Sequence, residues 1–466
     1  MQQQTLKVGE KNKVENNQRD IPFKDMVGYS FGAFGFMLMF MTVTTYLMYF
    51  YTDIMGISAA AAGTIFLIAR LIDACFGPIV GTIADRTTSK HGKYRPFMLW
   101  CIIPFALTGV LMFTVPDFLG NGMSLVIYAG ATYILFDLAY SFGNIPYLSM
   151  AGSMTFDPDI RTHLLSTKSV VNKISSIVAT SLTLPLVHMF SDPKSGFFYT
   201  AIIYSIIAAI GIYIAFKTTK PYANVGVVVK KSEDKLKNRQ LFTAIVKNNQ
   251  LLSVVVSFLI TSITSAIMGP AGIYYMTYNV GKTELISLYM LIGTFSPLVA
   301  VPVVSLFTKK FEKKTFLLTG YLMSALGSLF LYFTPYESVF LILASRFLAG
   351  VGSGLVGILI FSMIADCVDF GEWKTKIRVQ GLTFAISVFF QKTGMAIGGW
   401  LLGILLTFIG YVPHKEQTTF SLEGILALNS WVPAIIFTLG IFVMFPYKLS
   451  KKKLIEIREE IDQRNI

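Results

Sequence analysis

The stretch LLSVVVSFLITSITSAIMGPAGIYY, residues 251–275, contains no charged residue. A helix of about 20 mostly apolar residues crosses the hydrocarbon core of a bilayer, so this stretch predicts a membrane-spanning helix. Eleven further apolar segments lie on either side of it, separated by polar breaks. Their approximate bounds are 27–51, 58–80, 97–115, 123–148, 166–190, 197–216, 285–308, 315–334, 338–364, 380–410 and 426–446. The sequence therefore predicts an all-α membrane protein with twelve transmembrane helices.

The composition supports this prediction. The chain of 466 residues is 54% hydrophobic and 14% charged, with a mean hydropathy of +0.61. A soluble protein carries roughly 25% charged residues, so this chain has too few charges to cover a surface in water. The N-terminal segment is polar and lacks the apolar core of a cleavable signal peptide. Cys75, Cys101 and Cys367 are far apart and show no ligand spacing, so we expect no metal site and no disulfide.

The one long polar stretch divides the apolar segments into six and six. We therefore expect an N-terminal tail at 1–26, a first six-helix bundle at 27–216, a central loop at 217–250, a second bundle at 251–446 and a C-terminal tail at 447–466. Transporters built from two related halves bind their substrate near the middle of the membrane. The division predicts two six-helix bundles of this kind.

The basic residues predict the orientation. If the N-terminus is cytoplasmic, 32 of the 39 lysines and arginines fall in cytoplasmic segments, three in outer loops and four inside helices. This bias is the positive-inside pattern, and it predicts that both termini are cytoplasmic. It also explains the net charge of +13 without nucleic acid, which we do not expect as a partner.

Six ionisable side chains stand well inside the apolar segments, where each costs about 2.5–3.5 kcal/mol on insertion scales. They are Arg70, Asp73, Asp137, Lys173, Arg346 and Lys392. We expect them to line a wet cavity or to pair with one another. Because four are positive and two are negative, the set favours an anionic group on the solute.

Helix two carries Arg70 and Asp73 on one face, since they are three residues apart. Two interpretations stay open here: a structural ion pair, or an Asp73 carboxylate that binds the coupling proton or cation. Polar stripes on later helices are expected to face the cavity, although simple helix packing would also explain them. The stripes are Tyr133, Asp137, Tyr140, Ser141 and Asn144; Ser169, Asn172, Lys173, Ser176 and Thr180; and Thr383, Ser387, Gln391 and Lys392.

Asp85, Arg86 and Arg95 lie in the loop after helix two. An acid among clustered bases is expected to form a charge network at the inner face. Such a network stabilises one conformation and breaks in another, although anchoring by the positive charges alone remains an alternative.

Several motifs resemble the glycoside–pentoside–hexuronide:cation symporter family, which includes the melibiose carrier, within the major facilitator superfamily. The matches keep their order over nearly the whole chain. They are YSFGAFG at 29–35, YLMYFYTD at 46–53, GTIFLIARLIDA at 63–74, PIVG at 78–81, HGKYRP at 91–96, NIP at 144–146 and ADCVDFGE at 365–372.

The resemblance implies a major facilitator fold with alternating access and symport of a sugar or glycoside with H⁺, Na⁺ or Li⁺. It implies that Asp73, Ser141 and Lys392 form the cation site, and it adds Asp366, Asp369 and Arg378 to the inner-face network. It also implies the plasma membrane of a bacterium, a sugar and membrane lipids as partners, a monomer, and no cofactor beyond the co-transported ion.

The chain departs from the melibiose carriers at informative positions. Phe76 and Gly77 replace an Asn and an Asp that supply oxygen near the helix-two carboxylate, so we expect coupling to H⁺, with Na⁺ as the alternative. The galactoside-binding acids are also replaced, by Phe36-Met37 and Asn144. We therefore expect other groups to hold the sugar, namely Tyr140, Asn144, Asn172, Lys173 and Gln391. Glycosides, pentosides and uronides stay open, with the positive excess favouring a uronide.

Two other functions compete with sugar symport. A related carrier of a non-sugar amphiphile would have a cavity that opens sideways to lipid. A membrane sensor or enzyme would need a signalling or catalytic motif, and the loops carry neither. We therefore expect a transporter and no enzymatic activity.

Overall fold

A computed structural model describes residues 21–222, except Thr88, Lys90, Asn121 and Phe156, and residues 245–465, except 308–310 and Arg378. Within these ranges every regular element is helical. The α-helices are α1 Phe23–Tyr49, α2 Ala59–Arg86, α3 Arg95–Met112, α4 Met123–Met154, α5 Pro158–Val187, α6 Pro193–Thr218, α7 Asn249–Tyr274, α8 Ile286–Phe307, α9 Lys313–Tyr332, α10 Val339–Thr375, α11 Gln380–Phe408, α12 Thr419–Asn429, α13 Trp431–Val443 and α14 Lys451–Asn465.

Among the described residues, twelve helical segments are long and apolar enough to cross a membrane. Eleven correspond to α1–α11, and the twelfth is α12 and α13 together, which are interrupted at Ser430. Two of them extend into short π-helical turns, at Phe50–Ile54 after α1 and at Tyr275–Val280 after α7. The prediction of an all-α protein with twelve spans is confirmed.

Several helices are longer than their apolar segments. The α10 helix has 37 residues, which is about 55 Å at 1.5 Å per residue against a hydrocarbon core of about 30 Å. The helix ends at Thr375, eleven residues past the predicted end at 364. The α5 helix starts at Pro158 rather than 166, because the Asp157 carboxylate accepts N–H bonds from Asp159 and Ile160 and caps a polar first turn.

The described chain forms two compact units. The first unit contains Met1–Val43, Cys75–Gly120 and Ile127–Lys231, and the second contains Thr44–Ala74, Asn121–Val126 and Ser232–Ile466. The ends of α1 and α2 that flank residues 50–58 thus belong with the C-terminal helices. Most of the predicted central loop lies outside the described residues.

In the first unit, α1 and α6 approach closely through glycine. A Cβ on Gly35 would stand 2.6 Å from the Ala208 carbonyl oxygen, and one on Gly211 would stand 2.6 Å from that of Phe31. Small residues at such contacts let helices pack in membranes, where the hydrophobic effect does not drive association.

In the second unit, α2 packs antiparallel against α11. Gly63 lies against Gly403 and Phe66 lies against Gly399, so the contacts move forward along α2 as they move back along α11. Continuing the same face by seven residues in each helix gives Asp73 and Lys392. This glycine-lined seam therefore fixes which polar residues of the two helices meet.

Candidate functional site

The α2–α11 seam ends in an ion pair. Lys392 Nζ lies 2.7 Å from Asp73 Oδ2, and the Asp73 side chain is 2% exposed while that of Lys392 is 24% exposed. The charge-assisted bond is within the range of a strong contact. Arg70, one turn earlier on α2, is also buried and engaged in contacts of its own. The structure thus pairs Asp73 with a residue 319 positions away.

Asp73 lies so deep in the membrane span that a change in its ionisation would alter the stability of the pair. Asp73 lies about 20 Å from either end of α2 at 1.5 Å per residue, which places it in the apolar part of the span. Removing one partner of a buried pair costs about 3–5 kcal/mol because the other charge is left uncompensated. Adding a proton to Asp73 would remove the attraction without leaving a buried anion, and Lys392 would then be free to take another partner.

The predicted solute-binding residues of the first unit lie on α4 and α5. Asn144 and Asn172 are partly exposed and Lys173 is exposed. Among the described residues, none of these three side chains has a hydrogen-bond or ion-pair partner. Polar groups inside a membrane protein are normally satisfied, so these groups are available to water or to a ligand.

Tyr140 and Ser141 occupy more enclosed places on α4. The Tyr140 ring stacks on Phe40, with centroids 5.0 Å apart, and meets the edge of Phe36 at 5.9 Å. Ser141 is buried. The Tyr140 ring therefore packs in an aromatic cluster with Phe36 and Phe40 of α1.

Gln391 is the predicted solute-binding residue of the second unit, next to Lys392 on α11. It is partly exposed, and its side-chain amide has no partner within the described ranges. The structure therefore places Asp73 and Lys392 in contact, with Gln391 next to Lys392 in the sequence, in one unit. It places Tyr140, Ser141, Asn144, Asn172 and Lys173 on two helices of the other unit.

The predicted charge network divides into two clusters. In the first unit, Asp85 accepts bonds from Lys93 at 2.9 Å and from Tyr94 at 3.0 Å. The Arg95 guanidinium donates to the carbonyl oxygens of Phe216 and His91 and lies over the Phe216 ring. Arg86 is exposed and makes no ion pair within the described part of the chain.

The second cluster joins α10 to α9 and α14. Asp366 is buried and pairs with Lys313 at 2.5 Å, and Asp369 pairs with Arg458 at 2.9 Å. Asp366, Lys313 and Arg458 line a cavity of about 220 Å³ beside α14. Arg378 lies outside the described residues. The part played by α14 was not predicted, because its polar sequence resembles a solvated tail.

One buried carboxylate was not assigned a role from the sequence. Asp53, in the π-helical end of α1, is 4% exposed. It accepts hydrogen bonds from Tyr278 at 2.7 Å, from Tyr411 at 2.6 Å and from Thr52 at 2.6 Å. His414 contacts its backbone carbonyl. We call Thr52, Asp53, Tyr278, Tyr411 and His414 the Asp53 cluster; all belong to the second unit.

The electrostatics of the cluster keep its donors protonated. Burial raises the pKa of the Tyr411 hydroxyl well above its usual value, and the nearby Asp53 carboxylate raises it further. The hydroxyl therefore remains a donor at any physiological pH. The sequence contains a weak signal for this cluster, because the segment YFYTD places Asp53 beside tyrosines at the end of an apolar segment. The tyrosines that bond Asp53, Tyr278 and Tyr411, lie 225 and 358 positions away in the sequence.

Arg346 is a further membrane-embedded cation, on α10. The Arg346 guanidinium lies over the Tyr289 ring at 5.0 Å and packs against Gly293. Its Nε is buried without a partner in the described chain. Within the same residues, no group of three or more His, Cys, Asp or Glu is placed to hold a metal ion.

Comparison with known proteins matches the chain to sugar transporters. Residues 28–451 match the family described as MFS/sugar transport protein. The chain is 34% identical to the isoprimeverose transporter of Lactiplantibacillus pentosus over 96% of this chain and 93% of that protein. It is 31% identical to the putative glycoside/cation symporter YagG of Escherichia coli, over 96% and 95% respectively.

The fold is also similar to that of solved transporters. A bacterial homologue of the human lysosomal transporter Spinster, in an inward-facing and unoccupied conformation, aligns with a TM-score of 0.67 at 11% identity, covering 92% of this chain and 98% of that one. The nucleoside transporter NupG aligns with a TM-score of 0.63 at 14% identity, covering 91% of this chain and 100% of that one. At 11% and 14% sequence identity, these similarities show a shared fold and no shared function.

Proposed function

Because the chain belongs to the sugar-transport family of the major facilitator superfamily, we propose that it imports a sugar or glycoside by symport with a proton. It is a membrane transporter with twelve spanning helices, not an enzyme. Relatives named as an isoprimeverose transporter and a glycoside/cation symporter support this solute class and the coupling to a cation. A bacterial plasma membrane is the location this proposal requires.

The contact between Asp73 and Lys392 carries the proposal. It is a carboxylate–ammonium pair at 2.7 Å, deep in the apolar part of two helices, and its carboxylate is almost closed to solvent. A pair of this kind has two states, closed with Asp73 ionised and open with Asp73 protonated. Such a two-state element is what coupling between two ligands needs.

The coupling follows from proton binding at Asp73. A proton from water adds to a carboxylate oxygen of Asp73, which ends its attraction to the Lys392 ammonium. The freed ammonium and the neighbouring Gln391 amide then offer hydrogen-bond donors to the solute. After the solute leaves, Asp73 loses its proton to the opposite side and the pair forms again.

The residues beside Asp73 support H⁺ over Na⁺. One turn further along α2 stand Phe76 and Gly77, which provide no side-chain oxygen. Hard cations bind clusters of oxygen ligands, whereas a proton needs only one base.

The free polar groups of each unit are proposed to contact the solute. In the first unit, Asn144, Asn172 and Lys173 have side chains without partners among the described residues, and Tyr140 offers an aromatic face. In the second unit, the Gln391 side chain likewise has no partner among those residues. Sugars present many hydroxyl groups together with apolar ring faces. Amides, an ammonium group and an aromatic ring complement that pattern.

Alternating access also requires closures at both ends of the path. We assign inner-face closing roles to Asp85, Arg86 and Arg95 within the first unit and to Asp366, Asp369 and Arg378 within the second, and the outer closure to the Asp53 cluster. The cluster suits this role because its hydrogen bonds connect the end of α1 to the end of α7 and to the loop after α11. These bonds would have to break for the outer end to open.

The test is uptake by proteoliposomes containing the purified protein. A panel of unlabelled glycosides, pentosides and uronides is offered under an inward pH gradient alone and under an inward Na⁺ gradient alone, and vesicle contents are measured by mass spectrometry. We expect accumulation of one solute class above its external concentration under the pH gradient only. Accumulation driven by Na⁺ alone would refute the proton, and the absence of uptake for every sugar would refute sugar symport.

A further inference from the structure

Arg346 places a positive charge inside the second unit, about 10 Å from the start of α10 at 1.5 Å per residue. Its guanidinium has five N–H donors and no acceptor. The guanidinium lies over the Tyr289 ring at 5.0 Å, but within the described ranges it makes no hydrogen bond and no ion pair. A charge in a membrane span is costly, and an aromatic face offsets only part of that cost.

Buried hydroxyl groups near Arg346 are also unsatisfied. Tyr289 and Ser296 of α8 and Tyr275 at the end of α7 are 0% exposed, and their hydroxyls bond to no other described residue. The Tyr275 and Tyr289 rings are neighbours, with centroids 6.3 Å apart. Proteins leave few buried polar groups without a partner, and bound water or an ion usually accounts for the exceptions.

The contact between α8 and α10 fixes the spacing of these groups. A Cβ on Gly293 of α8 would stand 2.6 Å from Arg346 Nε, so only glycine lets the guanidinium lie against that helix. One turn further along α10, a Cβ on Gly350 would overlap the Ser296 hydroxyl. Arg346, Tyr289 and Ser296 therefore follow one contact over about two turns of α8.

The acids of the second unit do not neutralise Arg346. The buried carboxylates of this unit have the other partners given above. The acids near the starts of α8, α10 and α12, which are Glu284, Glu337 and Glu423, are exposed and form no ion pair in the part of the chain that the structure describes. A group that only donates needs an acceptor, and an anion supplies both lone pairs and the opposite charge.

From these contacts we propose that Arg346 is the centre of a chloride site in the second unit, with the hydroxyls of Tyr289 and Ser296 as further donors. Water would satisfy the hydrogen bonds but not the charge. Both hydroxyls are 0% exposed, so a small ion reaches them more readily than a lipid phosphate does. The bound ion stabilises the contact between α8 and α10. The site uses none of the groups proposed for solute or proton binding, so it is independent of the proposed symport.

The experiment measures the unfolding temperature of the purified protein in nanodiscs of uncharged phospholipid. Sodium chloride, sodium bromide and sodium gluconate are compared at equal ionic strength. We expect chloride and bromide to raise the unfolding temperature saturably by about 2–5 °C over gluconate, because an ion that binds only the folded state stabilises it. Crystals grown with bromide should show anomalous density beside Arg346.

Substitutions separate the charge from the hydroxyl groups. Arg346→Gln should remove the response to halide. Tyr289→Phe keeps the ring under the guanidinium and loses only the hydroxyl, so it should raise the half-saturating chloride concentration about 3- to 10-fold, and Ser296→Ala should do the same. Lys217→Gln, at the exposed end of α6, removes a positive charge elsewhere and should respond to halide as wild type does.

Several outcomes would overturn the site. Equal unfolding temperatures of the wild type in chloride and gluconate would exclude it, and a halide response that survives Arg346→Gln would remove Arg346 from it. If Arg346→Gln yields no folded protein, an unchanged half-saturating concentration in both hydroxyl variants overturns the proposal. Stabilisation by added phosphatidylglycerol without any halide response would assign Arg346 to a lipid phosphate instead. If Glu337→Gln destabilises the protein as much as Arg346→Gln does, the chain supplies its own counter-charge and the proposal fails.

Discussion

The Asp73 carboxylate combines burial, an ion pair with Lys392 and a position midway along α2. If it is the proton-binding group, its amide analogue should mimic the protonated state permanently. We expect Asp73→Asn to abolish solute-driven proton uptake while exchange of solute across the membrane survives within about tenfold of wild type. Proton uptake is followed with an internal pH dye, and exchange by counterflow. Asp117→Asn, in an exposed loop, is the matched control. Undiminished coupled accumulation in Asp73→Asn would remove Asp73 from the mechanism.

Substitution of Lys392 tests the role of the cationic partner in the ion pair. Lys392→Ala leaves the buried Asp73 carboxylate without its partner, a change that costs about 3–5 kcal/mol in comparable buried pairs. We expect a lower unfolding temperature together with weaker solute affinity and lost coupling. Adding Asp73→Asn should recover much of the unfolding temperature, because it removes the orphaned charge. If Lys392→Ala shows wild-type kinetics, Lys392 is a packing residue.

At the scale of the helices, the N-cap of α5 explains where that element begins. The Asp157 carboxylate accepts from the N–H groups of Asp159 at 2.8 Å and Ile160 at 3.1 Å. Replacing such a cap by alanine costs about 1 kcal/mol. We expect Asp157→Ala to lower the unfolding temperature and to increase hydrogen exchange of the first α5 turn, with Asp157→Ser close to wild type. Unchanged exchange in that turn would show that α5 does not depend on its cap.

The contact between the ends of α1 and α7 depends on donated hydroxyl groups. Tyr411→Phe removes one of three hydroxyl donors to a carboxylate that is almost closed to solvent. Leaving a buried charged acceptor less satisfied costs about 1–3 kcal/mol. We expect a lower unfolding temperature and faster hydrogen exchange in the π-helical turn Phe50–Ile54. Tyr213→Phe, on the exposed surface of α6, should change neither quantity. Equal stability of Tyr411→Phe and wild type would contradict the burial of the Asp53 cluster.

For the molecule as a whole, the sequence predicted features that depend on local composition. Each apolar segment predicts its own helix, so all twelve spans were found, whereas the polar first turn of α5 and the last turns of α10 were missed because they carry no apolar signal. Their ionisable side chains inside apolar segments marked Asp73 and Lys392 as residues that avoid lipid, and the family resemblance implied that both belong to one site. Their pairing depends on the α2–α11 seam, which brings together residues 319 positions apart. Asp53 was left unassigned for the same reason, since Tyr278 and Tyr411 are 225 and 358 positions away.

The orientation of the whole chain is the remaining prediction from the sequence. With 32 lysines and arginines on one side against three on the other, the positive-inside bias is strong enough to expect a single topology. Green fluorescent protein fused after residue 466, or inserted in the central loop near residue 235, should fluoresce. Alkaline phosphatase inserted at the same two places should be inactive, and it should be active after Pro116 or Pro413, in loops that carry few basic residues. The reverse pattern would show the opposite orientation. It would then place the Asp53 cluster at the cytoplasmic end and the ion pairs of Asp366 and Asp369 at the outer end, which exchanges their proposed roles.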